Sequence, residues 1–183
     1  MNYLRTKARV VIGAVSLMPL TLALMVGVSS PAIAPTKADA LEIKRIWTVK
    51  TLAKYENADQ LSDTQLVELL SAVGFEGKAL RQAWAVAKKE TNGRPLAHNG
   101  NRKTGDNSYG MFQINMLGDL GPIRREQFGL RSNADLLNPV VNAKVAYHMS
   151  KRGTNWSAWK GMTARTKYWL KKFPIHYKVQ VKA

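Results

Sequence analysis

The stretch Leu80-Arg81-Gln82-Ala83-Trp84-Ala85-Val86-Ala87-Lys88-Lys89-Glu90 decides how this chain is read. At about 100° per residue, Leu80, Ala83, Trp84 and Ala87 share one helix face, and Glu90 projects near Ala83, while Lys88 and Lys89 point elsewhere. The pattern predicts a helix that ends in an acid on its buried side. Partial burial disfavours the carboxylate and raises its pKa, and a protonated Glu is what delivering a proton to a leaving oxygen requires. A Glu in the last turn of a helix is otherwise a solvated surface residue. The helix by itself does not separate the two readings.

Beyond the helix, the loop Pro95 to Asn107 is rich in Gly and Asn and leads into Ser108-Tyr109-Gly110-Met111-Phe112-Gln113-Ile114-Asn115. Glu90-Thr91 with Asn92, Arg94-Pro95 and Ala97, followed by Ser108-x-Gly110-Met111-Phe112-Gln113-Ile114-Asn115, resembles the lysozyme-like domain of the soluble lytic transglycosylases. In that family a Glu-Ser pair ends a helix, and a Ser-x-Gly-Leu-Met/Phe-Gln element lines the cleft opposite it. Thr91 stands where the family usually has Ser and keeps a hydroxyl beside the acid. The resemblance extends to Asn138-Pro139-x-x-Asn142-Ala143 and to Gly153-x-x-Trp156-Ser157-x-Trp159, which looks like the end of a phage or bacterial transglycosylase domain. It covers roughly Leu61 to Trp159.

The resemblance implies a mainly α, lysozyme-like helical domain, with a small loop or hairpin lobe beside the cleft, that cleaves the β-1,4 link between N-acetylmuramic acid and N-acetylglucosamine in peptidoglycan. Glycosidases ordinarily divide the work between two carboxyl groups. Lytic transglycosylases work with one Glu, which is first acid and then base. The substrate's N-acetyl group assists at the anomeric carbon, the muramic 6-hydroxyl replaces water, and the product carries a 1,6-anhydromuramic end. Glu90 matches that role.

Asp106, in Thr104-Gly105-Asp106-Asn107-Ser108, is the candidate second carboxylate of a rival, hydrolytic mechanism. A turn Asp bonding its own backbone is the plain alternative. Thr91, Ser108, Gly110, Gln113 and Asn115 are candidate substrate contacts: hydroxyl and amide groups bond sugar hydroxyls or acetamido groups, and glycine permits close backbone approach. Alternatively, Ser108 caps a helix begun at Tyr109. Met111, Phe112 and Ile114 read as core. Tyr147 matches by position an aromatic that holds the catalytic Glu in the family. Trp156 and Trp159 read either as core packing or as flat faces for sugar rings. His98, His148 and His176 form no metal-ligand pattern, so neither a metal nor another cofactor is expected.

Length and a 45% hydrophobic content fit one small domain. The net charge of +16, from 28 basic and 12 acidic residues, favours attraction to polyanions. With no nucleic-acid motif and no zinc-finger spacing, nucleic acid is not the expected partner; peptidoglycan glycan strands are, acted on by a monomer. Arg5, Lys7 and Arg9 precede an uncharged, apolar stretch, and Ala38-Asp39-Ala40 supplies small residues for a cut after Ala40. Residues 1–40 therefore read as an export signal or, with Val10 to Val28 long enough to span a bilayer, as an N-terminal anchor. Either way the folded part is expected outside the cytoplasm, periplasmic or extracellular. The chain has no cysteine, so its stability must come from its core.

Residues 41–60 read as a linker or extension, 61–159 as the enzymatic domain, and 160–183 as a basic extension. Ser62 or Asp63 caps a helix with Leu66, Val67, Leu69, Leu70 and Val73 at helical spacing and Gly74 as its stop. Asn138 caps another that begins with Pro139 and runs until Gly153. The tail from Lys160 holds seven Lys or Arg and no acid, interleaved with Tyr168, Trp169, Phe173 and Tyr177. It reads as a surface for an anionic wall polymer or membrane, or as the solvated face of a last helix.

Overall fold

In the computed structural model, residues 36–175 are described, and they form six α-helices and a small antiparallel sheet: α1 Lys37–Tyr55, α2 Asp63–Val73, α3 Gly77–Thr91, β1 His98–Asn99, β2 Ser108–Tyr109, β3 Ile114–Asn115, α4 Leu120–Phe128, α5 Pro139–Met149 and α6 Ala164–Leu170. The mainly helical class with a small lobe is as expected. Residues 1–35, which hold most of the expected export signal, lie outside the described residues, as do His176 and Tyr177. Among the described residues, no helix is long and apolar enough to cross a membrane.

Local caps set three helix ends where the sequence places them, both ends of α2 and the start of α5. Ser62 and Gln65 form a reciprocal capping box at the start of α2, and Gly74 closes it at φ 117°, its N–H donating to the carbonyls of Leu70 and Ser71. Asn138 caps α5 by accepting from the N–H groups of Val140 and Val141, with Pro139 at the first turn. That helix stops at Met149, short of Gly153, because Lys151 and Arg152 already take left-handed backbone at φ 48° and 60°.

Leu80 to Glu90 lie in α3, a central helix. Ala83, Trp84, Ala85, Val86, Ala87 and Lys88 are all buried, so α3 is enclosed over more than one face. Lys88 is a correction: it does not point to solvent. Its Nζ bonds Asp63 Oδ1 at 2.7 Å and lies 4.9 Å from the Trp169 ring centroid. A buried ammonium is tolerated only with such partners.

Segments expected as extensions pack onto this core. Residues 41–60 are mostly α1, which buries Thr51 and Tyr55, the Tyr55 hydroxyl donating to Glu68. The expected cut after Ala40 falls in the first turn of α1. From the basic extension, Trp169 and Phe173 meet Trp84 edge-on at 6.0 and 5.6 Å between centroids. Trp169→Ala is therefore expected to cost about 2 kcal/mol, at or below the usual aromatic-to-alanine loss because the ring is only partly buried. Calorimetry checks this; an unchanged midpoint would mean that α6 is not part of the cooperative unit.

The Gly-rich region becomes the lobe. β1, β2 and β3 pair in that order, Asn99 opposite Ser108 and Tyr109 opposite Ile114. No helix starts at Tyr109, which overturns the reading of Ser108 as its cap. Left-handed backbone at Gly110, φ 71°, and Gln113, φ 47°, turns the chain back on itself instead.

Candidate active site

The last turn of α3, the loop after it, β1 and the α1–α2 connection enclose a cleft of about 770 Å³. Glu90, Thr91, Asn92, Gly93 and Arg94 form its floor and one side; Leu96, Ala97, His98, Asn99 and Gln113 form the lobe side; Asp59, Gln60 and Leu61 form the third. Sequence reasoning reached Glu90, Thr91 and Gln113. It missed Asp59, Arg94 and His98 as cleft residues: nothing in the local pattern says that the connection before α2 folds back against the end of α3, or which side chains of the loop after Glu90 turn into the cleft.

Glu90 is held rather than free. Its side chain is 25% exposed, and its Oε1 lies 2.7 Å from Lys89 Nζ. Adjacent helix residues do not normally face each other, so the lysine stem has to curl to make this contact. What holds it is Trp159, whose carbonyl accepts from the same Nζ at 2.7 Å. Lys89 thus ties the acid to the C-terminal part of the chain. Trp159 is itself buried, donating Nε1–H to the carbonyl of Phe112 at 2.7 Å, and Trp156 packs beside it at 5.4 Å. The two Trp rings are core, and neither offers a flat face to a sugar.

Thr91 keeps the hydroxyl that the family pattern asks for, and it faces inward. Its Oγ1 donates to the carbonyl of Met111 at 3.0 Å and accepts from the N–H of Arg94 at 3.1 Å, pinning the end of α3 to the Gly110–Gln113 turn. Gln113 carries its amide into the cleft wall, donating Nε2–H to Gly110 O at 3.0 Å and Ala97 O at 3.3 Å. Its carbonyl oxygen is left over for a ligand.

Gly110 is required for a different reason from close approach to a sugar. A Cβ there would stand 2.3 Å from both Asn142 Nδ2 and the carbonyl of Leu136. Asn142, fully buried on α5, accepts from Phe112 N–H at 2.9 Å and donates to Tyr109 O and Leu136 O at 3.0 Å each. One side chain thereby fixes three backbone segments behind the cleft. Met111, Phe112 and Ile114 are buried as expected.

The remaining candidates hold the lobe together. Ser108 is buried on β2 and donates its hydroxyl to Asp106 Oδ1, while Asn99 Nδ2 donates to Asp106 Oδ2 at 2.6 Å. Both Asp106 oxygens are thus engaged inside the lobe, and Asp106 does not line the cleft. Asn115 Oδ1 accepts from the N–H groups of Asn107 and Leu117, and its Nδ2 donates to Gly105 O at 3.2 Å. Arg124 donates to the Asn115 carbonyl, and burial pushes the pKa of its guanidinium down. His98 stacks on Tyr109 at 4.4 Å and closes the lobe's outer edge.

Tyr147 does not meet Glu90. Its ring packs edge-on against Phe75 at 4.9 Å and covers Gly74, before the N-terminus of α3. Glu90 lies near the other end of that helix, roughly 20 Å away along its axis at about 1.5 Å per residue. Among the described residues, no group of His, Cys, Asp or Glu is arranged to hold a metal.

The chain matches the family described as lysozyme-like domain over residues 67–161. No curated protein and no solved structure matches it. The matched span runs from α2 to just past Trp159 and contains Glu90, the lobe and the Asn142 clamp, though not Asp59. With more than half of its length in that match, the chain belongs to the lysozyme-like domain family.

Proposed function

We propose that this protein is a peptidoglycan lytic transglycosylase in which Glu90 is the single general acid and base. Family membership supports the coarser statement, a peptidoglycan-cleaving enzyme of glycosidase type. What supports the finer one is Glu90, a part-buried acid at the end of a buried helix that opens into the cleft, together with the engagement of Asp106 by Ser108 and Asn99 away from that cleft. Its proton passes to the bridging oxygen as the glycosidic bond breaks. The substrate's acetamido oxygen supports the anomeric carbon, and the Glu90 carboxylate then takes the proton of the muramic 6-hydroxyl as that oxygen closes on the anomeric carbon. Acid and base are restored, and no water is consumed. Under this reading the folded part works outside the cytoplasm on glycan strands, as a monomer.

A hydrolytic, muramidase reading is favoured by one observation, the second carboxylate in the cleft. That acid is Asp59, not Asp106. It is exposed on the cleft wall contributed by the α1–α2 connection, with no ion-pair partner among the described residues. Asp59→Asn separates the two mechanisms. The transglycosylase reading expects activity within about threefold of wild type, with anhydromuramic ends retained; a two-carboxylate hydrolase expects a loss on the order of 10²-fold or more and reducing ends in the wild type. Mass spectrometry of the products from purified peptidoglycan supplies both readouts.

A further inference from the structure

Acidic residues stop at Asp135, and from there to Ala183 the chain carries ten Lys or Arg. Eight of these cations lie within the described residues: Lys144, Lys151, Arg152, Lys160, Arg165, Lys167, Lys171 and Lys172. All eight are exposed, and none has a carboxylate within 4.0 Å among the described residues. Residues 36–135 instead carry 15 Lys or Arg against 12 Asp or Glu, some of them paired, as in Lys44 with Glu76 and Arg45 with Glu42. The net positive charge is therefore concentrated in the last part of the fold.

α6 and the residues just after it gather this charge on one side. At about 100° per residue, Thr166, Trp169, Leu170 and Phe173 fall on the side turned to α3, where Thr166 is fully buried and Trp169 and Phe173 meet Trp84. The outward arc holds Arg165, Lys167, Lys171 and Lys172 around Tyr168, which is 51% exposed, and Lys172 Nζ lies 4.4 Å from the Tyr168 ring centroid. Like charges this close repel one another, and a solvated face needs no such density. A bound polyanion offsets the repulsion.

We propose that the outer face of α6 is a docking surface for an anionic cell-wall polymer, a flexible chain with repeated phosphodiester or carboxylate groups. A membrane surface fits less well. An interfacial helix needs an apolar face to insert, and that of α6 is already spent on Trp84 in the protein's own core. A polymer that lies along the surface needs only charge and an aromatic edge. The choice of a wall polymer rests on the peptidoglycan reading of the cleft; the surface itself does not depend on catalysis.

The test uses the full chain carrying Glu90→Gln, so that binding is read without cleavage. It is sedimented with sacculi that bear a phosphodiester-linked polymer and with the same sacculi after that polymer has been removed. Lys167→Gln, Lys171→Gln and Lys172→Gln are introduced together, and a control of equal charge carries Lys37→Gln, Lys50→Gln and Lys103→Gln. All six lysines are exposed, and melting curves confirm that both triple variants fold. At about 0.15 M salt, stripping the sacculi or substituting the α6 lysines is expected to lower retention about tenfold, with a steep salt dependence lost in both cases. The control set is expected to change it less than about threefold. Equal losses from both sets, retention indifferent to stripping, or tighter binding to anionic phospholipid vesicles or DNA than to polymer-bearing sacculi would overturn the proposal. Failure of the peptidoglycan reading registers separately, as absence of cleavage by the wild type.

Discussion

Glu90→Gln is expected to lower peptidoglycan cleavage by about 10² to 10⁴-fold, the usual cost of removing a general acid, while leaving the fold intact. Gln keeps the shape and the contact with Lys89 but carries no transferable proton. The part-buried ion pair with Lys89 is lost, and since adjacent helix residues gain little from pairing, the melting midpoint should stay within a few degrees of wild type. Release of soluble muropeptides, followed with matched melting curves, checks both halves. Undiminished release would sink the assignment of Glu90, and absence of release by the wild type would leave a wall-binding protein. Lys89→Met is the informative companion: it removes the tether to the Trp159 carbonyl together with the ammonium paired with Glu90, so a fall in rate with unchanged substrate affinity and an unshifted pH profile would mark Lys89 as a positioning residue, whereas a shifted profile would mark its charge as what matters.

Asn142→Ala is expected to destabilise the protein by about 3 kcal/mol or more, a large fraction of the 5 to 15 kcal/mol typical of a domain. Its side chain bonds Phe112 N–H, Tyr109 O and Leu136 O in a fully buried position, and truncation removes all three bonds at once. Each orphaned buried group costs roughly 1 to 3 kcal/mol, reduced where water or relaxation repairs the loss. The midpoint should fall on the order of 10 °C. Gly110→Ala attacks the same clamp from the other side, since its methyl would stand 2.3 Å from Asn142 Nδ2 at a left-handed backbone position. Because the two changes break one network, the double variant should lose less than the sum. Additive losses in chemical denaturation would show that the clamp is not shared.

The elements legible in the sequence were those with local causes. Ser62, Gly74 and Asn138-Pro139 act on backbone groups within a few residues, so the ends they set follow from side-chain chemistry alone. Density of apolar residues was enough for Met111, Phe112 and Ile114. Periodicity was less reliable where several elements cover one helix: Lys88 looks like a surface residue by its angle, but α2 supplies Asp63 and α6 supplies Trp169 around it. The family pattern placed Thr91, Ser108 and Asn115 near the sugar, whereas their hydroxyl and amide groups are used on the protein's own backbone and on Asp106.

By itself, then, the sequence determined a mainly helical domain, its principal caps, an acid at the end of a buried helix and a glycine-rich lobe beside it. Only the tertiary structure decided what surrounds that acid. Lys89 reaches it through the carbonyl of Trp159, Asp59 comes to the cleft from a connection before α2, Tyr147 is carried to the far end of α3, and α6 turns its aromatic side inward and its cations outward. The reason is common to all four. Each depends on contacts between residues far apart in the chain, and helical spacing specifies which way a side chain leaves its own axis without specifying which element packs against it.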